Sequence, residues 1–386
     1  MHGTHLPRRH ALGSLLTLAA SPLAPALRAA EPALEDLVNV HEFEEYAKQK
    51  LHKLAYDFIA GGVEDEQTLR ANRAAFERHF LVPRVMVDVT SVDTSTTILG
   101  TKMNVPLIIA PTGGKNLVLP NADEFVAQAA AATNTPICTA VGTRKIIEEG
   151  KPITWWSNTT GSKDKQSAID YARRIEDSGG KGIVVTCDNP YQSNRDRNNR
   201  NKFDYGYMQT GVPKPGDPPR PPRNPARPAM YQPHTPGMTW DYIGWLRGAC
   251  KIPVIAKGIL APEDAELAIQ AGSSAISVSN HGGRQLDGAI ASLDALPDVA
   301  AAVNRRVPLF MDGGIRRGID IVKAIALGAD AVLVGRAPLW GLACFGQPGV
   351  ERVLWMLGAE FKLAMSLSGV NKVEDIRKLK VRKIPA

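Results

Sequence analysis

Eight short apolar runs recur along this 386-residue chain, and helical stretches separate most of them. They occupy residues 106–110, 136–140, 153–156, 182–186, 253–256, 275–278, 308–311 and 331–334. Runs this short, mostly Ile, Val, Leu and Ala, suit strands buried on both faces. Between them, residues 263–271 and 318–327 carry apolar side chains at helical spacing. Strands that alternate with helices build a parallel sheet. Eight such units in about 250 residues predict a (β/α)8 barrel. A doubly wound open sheet is the alternative; it fits less well, because no Gly-x-Gly-x-x-Gly follows the first run.

Two segments stand outside this rhythm. Residues 34–75 read as helical, with Phe43, Tyr46, Ala47 and Leu51 at helical spacing and a break at Gly61-Gly62. Between the fourth and fifth runs, residues 213–236 hold ten prolines together with Lys214, Arg220, Arg223 and Arg227. Proline this dense joins neither a helix interior nor a sheet, so a long exposed polyproline-like loop is expected after strand four. It is either a lid over the C-terminal face of the barrel or a disordered surface insertion.

The first 30 residues have another character. Arg8-Arg9 precedes a modest apolar run, Ala11 to Ala20, and then Pro22, Pro25 and small residues. This pattern reads as a twin-arginine-type export signal and predicts a periplasmic protein whose barrel domain is residues 31–386. Three of the seven net positive charges, Arg8, Arg9 and Arg28, belong to it. The remaining mild excess does not point to nucleic acid, and no basic helix or aromatic-interleaved patch accompanies it. An anionic substrate and a cofactor phosphate are sufficient reasons for it. No later segment is long and apolar enough to span a membrane. Cys138, Cys187, Cys250 and Cys344 lack metal-type spacing and read as buried free thiols, so no metal is expected.

Barrel enzymes place their working groups at the C-terminal ends of the strands. Those positions here are Thr112, Thr186, Asp188, Lys257, His281, Arg284, the string Asp312-Gly313-Gly314-Ile315-Arg316, and Gly335-Arg336. His281 is a base of near-neutral pKa, and Arg284 offers a fork that matches a carboxylate. Asp188 is placed to hydrogen-bond His281 and raise its pKa. Lys257 is a cation able to stabilise developing negative charge. The glycine-rich strings after strands seven and eight, with Arg316 and Arg336, suit a phosphate. His41, His52, His79 and His234 lie away from strand ends and read as surface or packing residues.

Residues 279–287 (Ser-Asn-His-Gly-Gly-Arg-Gln-Leu-Asp), 312–318 (Asp-Gly-Gly-Ile-Arg-Arg-Gly) and Gly335-Arg336 resemble the FMN-dependent 2-hydroxy-acid oxidases and dehydrogenases, the glycolate oxidase, lactate dehydrogenase and mandelate dehydrogenase type. The resemblance runs from about Val40 to the C-terminus. It implies a barrel that holds FMN, with the phosphate on Arg316, Gly335 and Arg336 and Lys257 facing the N1/O2 edge of the flavin. Thr186, Ser279 and residues Pro111, Thr112 and Gly113 would lie along the ring. His281, supported by Asp188, would take a proton as electrons pass from the substrate's α-carbon to flavin N5. Arg284 and Arg195 would hold the carboxylate, oxygen or a separate acceptor would reoxidise the flavin, and the chain would be a homo-oligomer, a tetramer in the family.

Several positions depart from that pattern. Phe58 stands where the family has a substrate-contacting tyrosine. A Gln-x-Tyr motif after strand three is matched to Ser157 at a flavin contact and Thr159 at a substrate contact. Pro-Thr-Ala-Met becomes Pro111-Thr-Gly-Gly114. A hydrogen bond to a charged group contributes about 1.5–3 kcal/mol, so two lost phenols predict poor glycolate and lactate turnover and an altered substrate. The competing readings are an exported barrel that only binds FMN or an organic acid, and another FMN or phosphate barrel such as a type 2 isopentenyl diphosphate isomerase or IMP dehydrogenase relative. The His281/Arg284 pair argues against the latter.

Overall fold

The structure, a computed structural model, describes residues 31–139, 147–213 and 232–384. The expected signal at residues 1–30 and most of the Pro-rich stretch, 214–231, lie outside the described residues. The apolar runs form eight parallel strands: β1 (Leu107–Ile109), β2 (Ile137–Cys138), β3 (Trp155–Thr159), β4 (Ile183–Thr186), β5 (Val254–Ile259), β6 (Ala275–Val278), β7 (Leu309–Met311) and β8 (Ala331–Val334). They close into a barrel in chain order, with β8 pairing back onto β1 through Val332↔Leu107, Leu333↔Ile108 and Val334↔Ile109. The third strand starts and ends later than the sequence pattern indicates.

Strand alternation divides the apolar residues between two cores. Ile108, Cys138, Trp156, Val184, Ile255, Ala275, Phe310 and Leu333 fill the barrel, with the Trp156 and Phe310 rings 5.5 Å apart. Leu107, Ile109, Val185, Val254, Ile276 and Val332 face the surrounding helices. A two-stranded hairpin, Thr96–Ile98 against Thr101–Met103, contributes Ile98 and Met103 to the interior cluster. Its two-residue turn, Leu99 (φ 49°) and Gly100 (φ 74°), has the doubly left-handed form that matches strand twist.

The N-terminal part is three helices, Val40–Lys50, Lys53–Ala60 and Gln67–Arg78, so the helical reading of residues 34–75 holds with breaks at Leu51-His52 and after Ala60. The first packs on the long C-terminal helix Arg336–Leu367, which kinks at Phe345-Gly346. Asp294 ties this layer to the C-terminus through Arg78 (2.6 Å) and Lys383 (2.6 Å). All four cysteines are free, and burial pushes the Cys138, Cys187 and Cys344 thiols up to about 12, away from reactivity. Among the described residues no helix is long and apolar enough to cross a membrane, and no cluster suits a metal ion.

Candidate active site

A cavity of about 360 Å³ opens at the C-terminal end of the barrel, where the strand-end residues converge. At its centre is the turn after β6. His281 (φ 59°), Gly282 (φ 66°) and Gly283 (φ 72°) are consecutive left-handed residues, which explains the two glycines and strains the histidine. Ser279 Oγ accepts from the His281 backbone N–H (3.0 Å), and Gly283 N–H donates to Asn280 Oδ1 (3.1 Å). Asn280 and Asn72 exchange reciprocal amide hydrogen bonds of 2.8 and 2.9 Å in the buried interior, fastening the turn to the helix Gln67–Arg78.

His281 Nδ1 lies 3.0 Å from Asp188 Oδ1. A carboxylate only accepts, so Nδ1 carries the hydrogen and Nε2 keeps its lone pair for a substrate proton. Burial and the Lys257 ammonium push the His281 pKa down further than Asp188 pushes it up. Asp188 raises it as expected but is outweighed, and the net lowering leaves a neutral, proton-accepting ring at pH 7. Burial works against the Asp188 carboxylate, yet His281 and Lys257 hold it below the usual range.

Lys257, at the end of β5, is buried; it donates to Ser279 Oγ (3.0 Å) and pairs with Asp312 Oδ2 (3.3 Å). The acidic partner missing from its sequence neighbourhood is Asp312, just past the end of β7, which also accepts from Ser279 Oγ (2.7 Å). Burial opposes the Lys257 charge, but Asp312 and Asp188 raise its pKa, so it stays protonated.

The arginines gather on the helix Lys53–Ala60. Arg284 Nη1 donates to Phe58 O (2.8 Å) and Gly61 O (2.7 Å). Arg336 donates to Ile59 O (2.9 Å), Gly61 O (3.1 Å) and Gly282 O (3.0 Å). Burial pulls Arg336 down to about 10, still cationic at neutral pH. Both Arg284 and Arg195 lie over the Phe58 ring, 5.2 and 5.8 Å from its centroid. Arg316 meets Glu44 at 3.3 Å.

The charge balance of this cavity fits FMN. Among the described residues, Arg195, Lys257, Arg284, Arg316 and Arg336 line it against a single lining carboxylate, Asp312. Such an excess calls for a multiply charged anion, as a flavin phosphate together with a carboxylate substrate supplies. Gly313 (φ 103°) and Gly314 (φ 86°) bring backbone to the wall, and a Cβ on Gly314 would sit 2.4 Å from Asn72 O. Pro111, Thr112, Gly113, Thr186, Ile315 and Gly335 also line the cavity. Ser279 is fully buried behind it, bridging Lys257 and Asp312.

Two sequence assignments are misplaced by one residue. Ser157 and Thr159 lie on the outer face of β3, where their hydroxyls meet Tyr171 Oη (2.7 Å) and Tyr242 Oη (3.2 Å). Neither lines the cavity; Asn158 and Thr160 do. Because side chains alternate, the pair facing inward beyond Trp156 is Asn158 and Thr160, and the Gln-x-Tyr counterpart belongs there. His234, read as surface or packing, also lines the cavity at the described end of the Pro-rich stretch. Its backbone N–H donates to Pro190 O (2.9 Å), and Gln192 N–H donates to Gln232 O (2.8 Å), which fastens this end beside β4. Sequence reasoning also missed Tyr205 and Met208, from the loop after β4, and Gln285. Only the Gln285 position, one residue past Arg284, carried a signal. His79, by contrast, is buried with Nδ1 on Ala75 O (2.8 Å), a packing residue as expected.

Comparison with known proteins agrees with this construction. The sequence model of the FMN-dependent dehydrogenases matches residues 47–383. An L-lactate oxidase from Nostoc sp. is 39% identical over 366 residues, covering 89% of this chain and 98% of that protein. Spinacia oleracea glycolate oxidase is 37% identical, covering 88% and 94% respectively. A crystal structure of mandelate oxidase superposes with a TM-score of 0.81 at 36% identity, covering 91% of this chain and all of that one.

Proposed function

The chain belongs to the FMN-dependent dehydrogenase family, and from that premise we propose that it oxidises a 2-hydroxy acid to the 2-oxo acid, with a substrate other than glycolate or lactate. The observation that carries the reading is the neutral His281, oriented by Asp188 at 3.0 Å, in one cavity with Arg284 and Arg195. FMN, when bound, accepts the two electrons that leave the substrate's α-carbon. Arg284 and Arg195 hold the carboxylate and fix its orientation. His281 Nε2 takes the hydroxyl or α-carbon proton, and Asp188 steadies the imidazolium that results. Lys257 keeps a permanent positive charge at the barrel axis, where negative charge develops on the cofactor side.

The altered substrate rests on what lines the cavity. Phe58 supplies no hydroxyl, and the β3 rim offers an amide and an aliphatic alcohol, Asn158 and Thr160. The test is anaerobic mixing of the yellow holoprotein with 2-hydroxy acids. Bleaching by some acid, but slow or absent bleaching by glycolate and L-lactate, is the expected result. A spectrum unchanged by every acid would favour a binding protein instead, and rapid bleaching by glycolate or L-lactate would remove the altered specificity.

Three further parts of the reading have their own supports. Arg8-Arg9 and the small-residue stretch after them support export through a route for folded proteins, which a chain that must enclose FMN needs. Deleting Arg8-Arg9 is expected to leave holoprotein in the cytoplasm. Trp355, Leu363 and Leu367 expose an apolar stripe along the C-terminal helix, which supports assembly with further copies of the chain; light scattering reads the mass. Oxygen or a separate carrier reoxidises the flavin, and reoxidation rates in aerated buffer tell the two apart.

A further inference from the structure

The strand that carries Lys257 is irregular at one residue. β5 pairs with β6 through Ile255↔Ala275, Ala256↔Ile276 and Lys257↔Ser277, and then through Ile259↔Val278, so Gly258 has no opposite number. This is a β-bulge, and one inserted residue turns the side chains after it to the other face. Strict alternation from Ile255, which fills the barrel, would send Ile259 inward. Ile259 packs instead in the outer core with Val254 and Ala256. The bulge therefore makes Lys257 the last inward residue of β5 and brings bare backbone to the rim beside it.

Asp188 lies on that backbone. Gly258 has φ 104°, and a Cβ built on it would stand 2.6 Å from Asp188 Cγ and 2.9 Å from Oδ1, the oxygen that His281 Nδ1 meets at 3.0 Å. A side chain at this position would have to displace the carboxylate. The other oxygen, Oδ2, is buried with no hydrogen-bond partner among the described residues, so nothing there braces the group from that side. We propose that Gly258 is a positioning residue for the oxidation, because the bulge and the missing side chain together seat Asp188 against His281. The proposal rests on the role given to His281 above.

The test sets Gly258→Ala beside Asp188→Asn and the double variant, each as the FMN-loaded full chain. NMR titration of the histidine rings, with His281 identified by the signal that His281→Asn removes, needs no substrate. His281 also faces Lys257 and Arg195, which all three variants keep. Losing the carboxylate contact should lower the His281 midpoint by about one to two pH units in Gly258→Ala, as in Asp188→Asn, and the double variant should fall no further. Anaerobic reduction by L-lactate and L-mandelate should slow by a similar factor in both single variants, with the double within about threefold of them. A midpoint within about 0.3 pH units of wild type in folded Gly258→Ala overturns the proposal, as does a double variant in which the two losses multiply. An alanine at this φ is strained in its own right. Where Gly258→Ala does not fold, the same change is therefore made in Asp188→Ala: recovery of a folded, FMN-binding protein is expected, and failure there too overturns the proposal. Wild-type flavin that no 2-hydroxy acid bleaches removes the oxidation reading, while the His281 titration still decides whether Gly258 seats Asp188.

Discussion

Replacing Asp188 with Asn separates charge from shape at the catalytic histidine. The wild-type contact is 3.0 Å, with both side chains largely enclosed. In the resting state the histidine is neutral and Asp188 orients it. In the transition state a proton arrives on Nε2, and an imidazolium faces a carboxylate. Unit charges about 4 Å apart at an effective dielectric near 20 attract by about 4 kcal/mol, and a net charged hydrogen bond contributes about 1.5–3 kcal/mol. The differential loss in Asp188→Asn therefore lies between about 1.5 and 4 kcal/mol, or about ten- to thousandfold in rate. Anaerobic stopped flow measures flavin reduction directly, with the flavin spectrum and melting temperature confirming an intact holoprotein. Because Asp188 pushes the His281 pKa up, its loss also moves the acid limb of the pH profile to lower pH. Reduction within threefold of wild type, with an unmoved limb, would refute the assignment of Asp188 as the group that stabilises the protonated base.

In the wild-type protein the same limb should fall below pH 6.5, since burial and Lys257 depress His281 beneath its ordinary value and only the neutral ring accepts a proton; a midpoint above 6.5 in kcat/KM contradicts this. Phe58→Tyr returns a phenol to a ring stacked 4.9 Å from Phe203 and beneath Arg284. It should raise kcat/KM for L-lactate about ten- to hundredfold, and no gain would detach the narrowed activity from that position. Lys257→Met leaves Asp312 buried without its cation, a loss of about 3–5 kcal/mol. Differential scanning calorimetry should show a melting temperature lower by about 4–7 °C, and a shift under 2 °C would argue that the pair is not a structural element.

The barrel was legible because strands buried on both faces leave uninterrupted apolar runs, and a barrel fixes which end of each run carries chemistry. That is why His281, Asp188, Lys257 and Asp312 are legible in the sequence as site residues. The frame of β3 was not legible. Trp155 and Trp156 are both buried, one outside the barrel and one inside, so no apolar/polar alternation marks the frame that selects Asn158 over Ser157. His234, Tyr205 and Met208 reach the cavity from a long excursion between β4 and β5, and no local pattern ties such residues to a strand end. The anchoring of Arg284 and Arg336 was equally hidden, because its acceptors are backbone carbonyls, which every residue has.

Those anchors have a consequence for how the protein is made. The carbonyls of Phe58, Ile59 and Gly61 belong to an early helix and the turn after it, and their partners Arg284 and Arg336 are translated more than 220 residues later. The last of them follows β8, the strand that closes the barrel against β1. During synthesis the first helices therefore wait, their C-terminal carbonyls turned to water, until nearly the whole chain has emerged. The anion-binding face comes into being in one late step, when ring closure and helix docking occur together. Flavin capture is thus an event of the finished polypeptide and not of the nascent one.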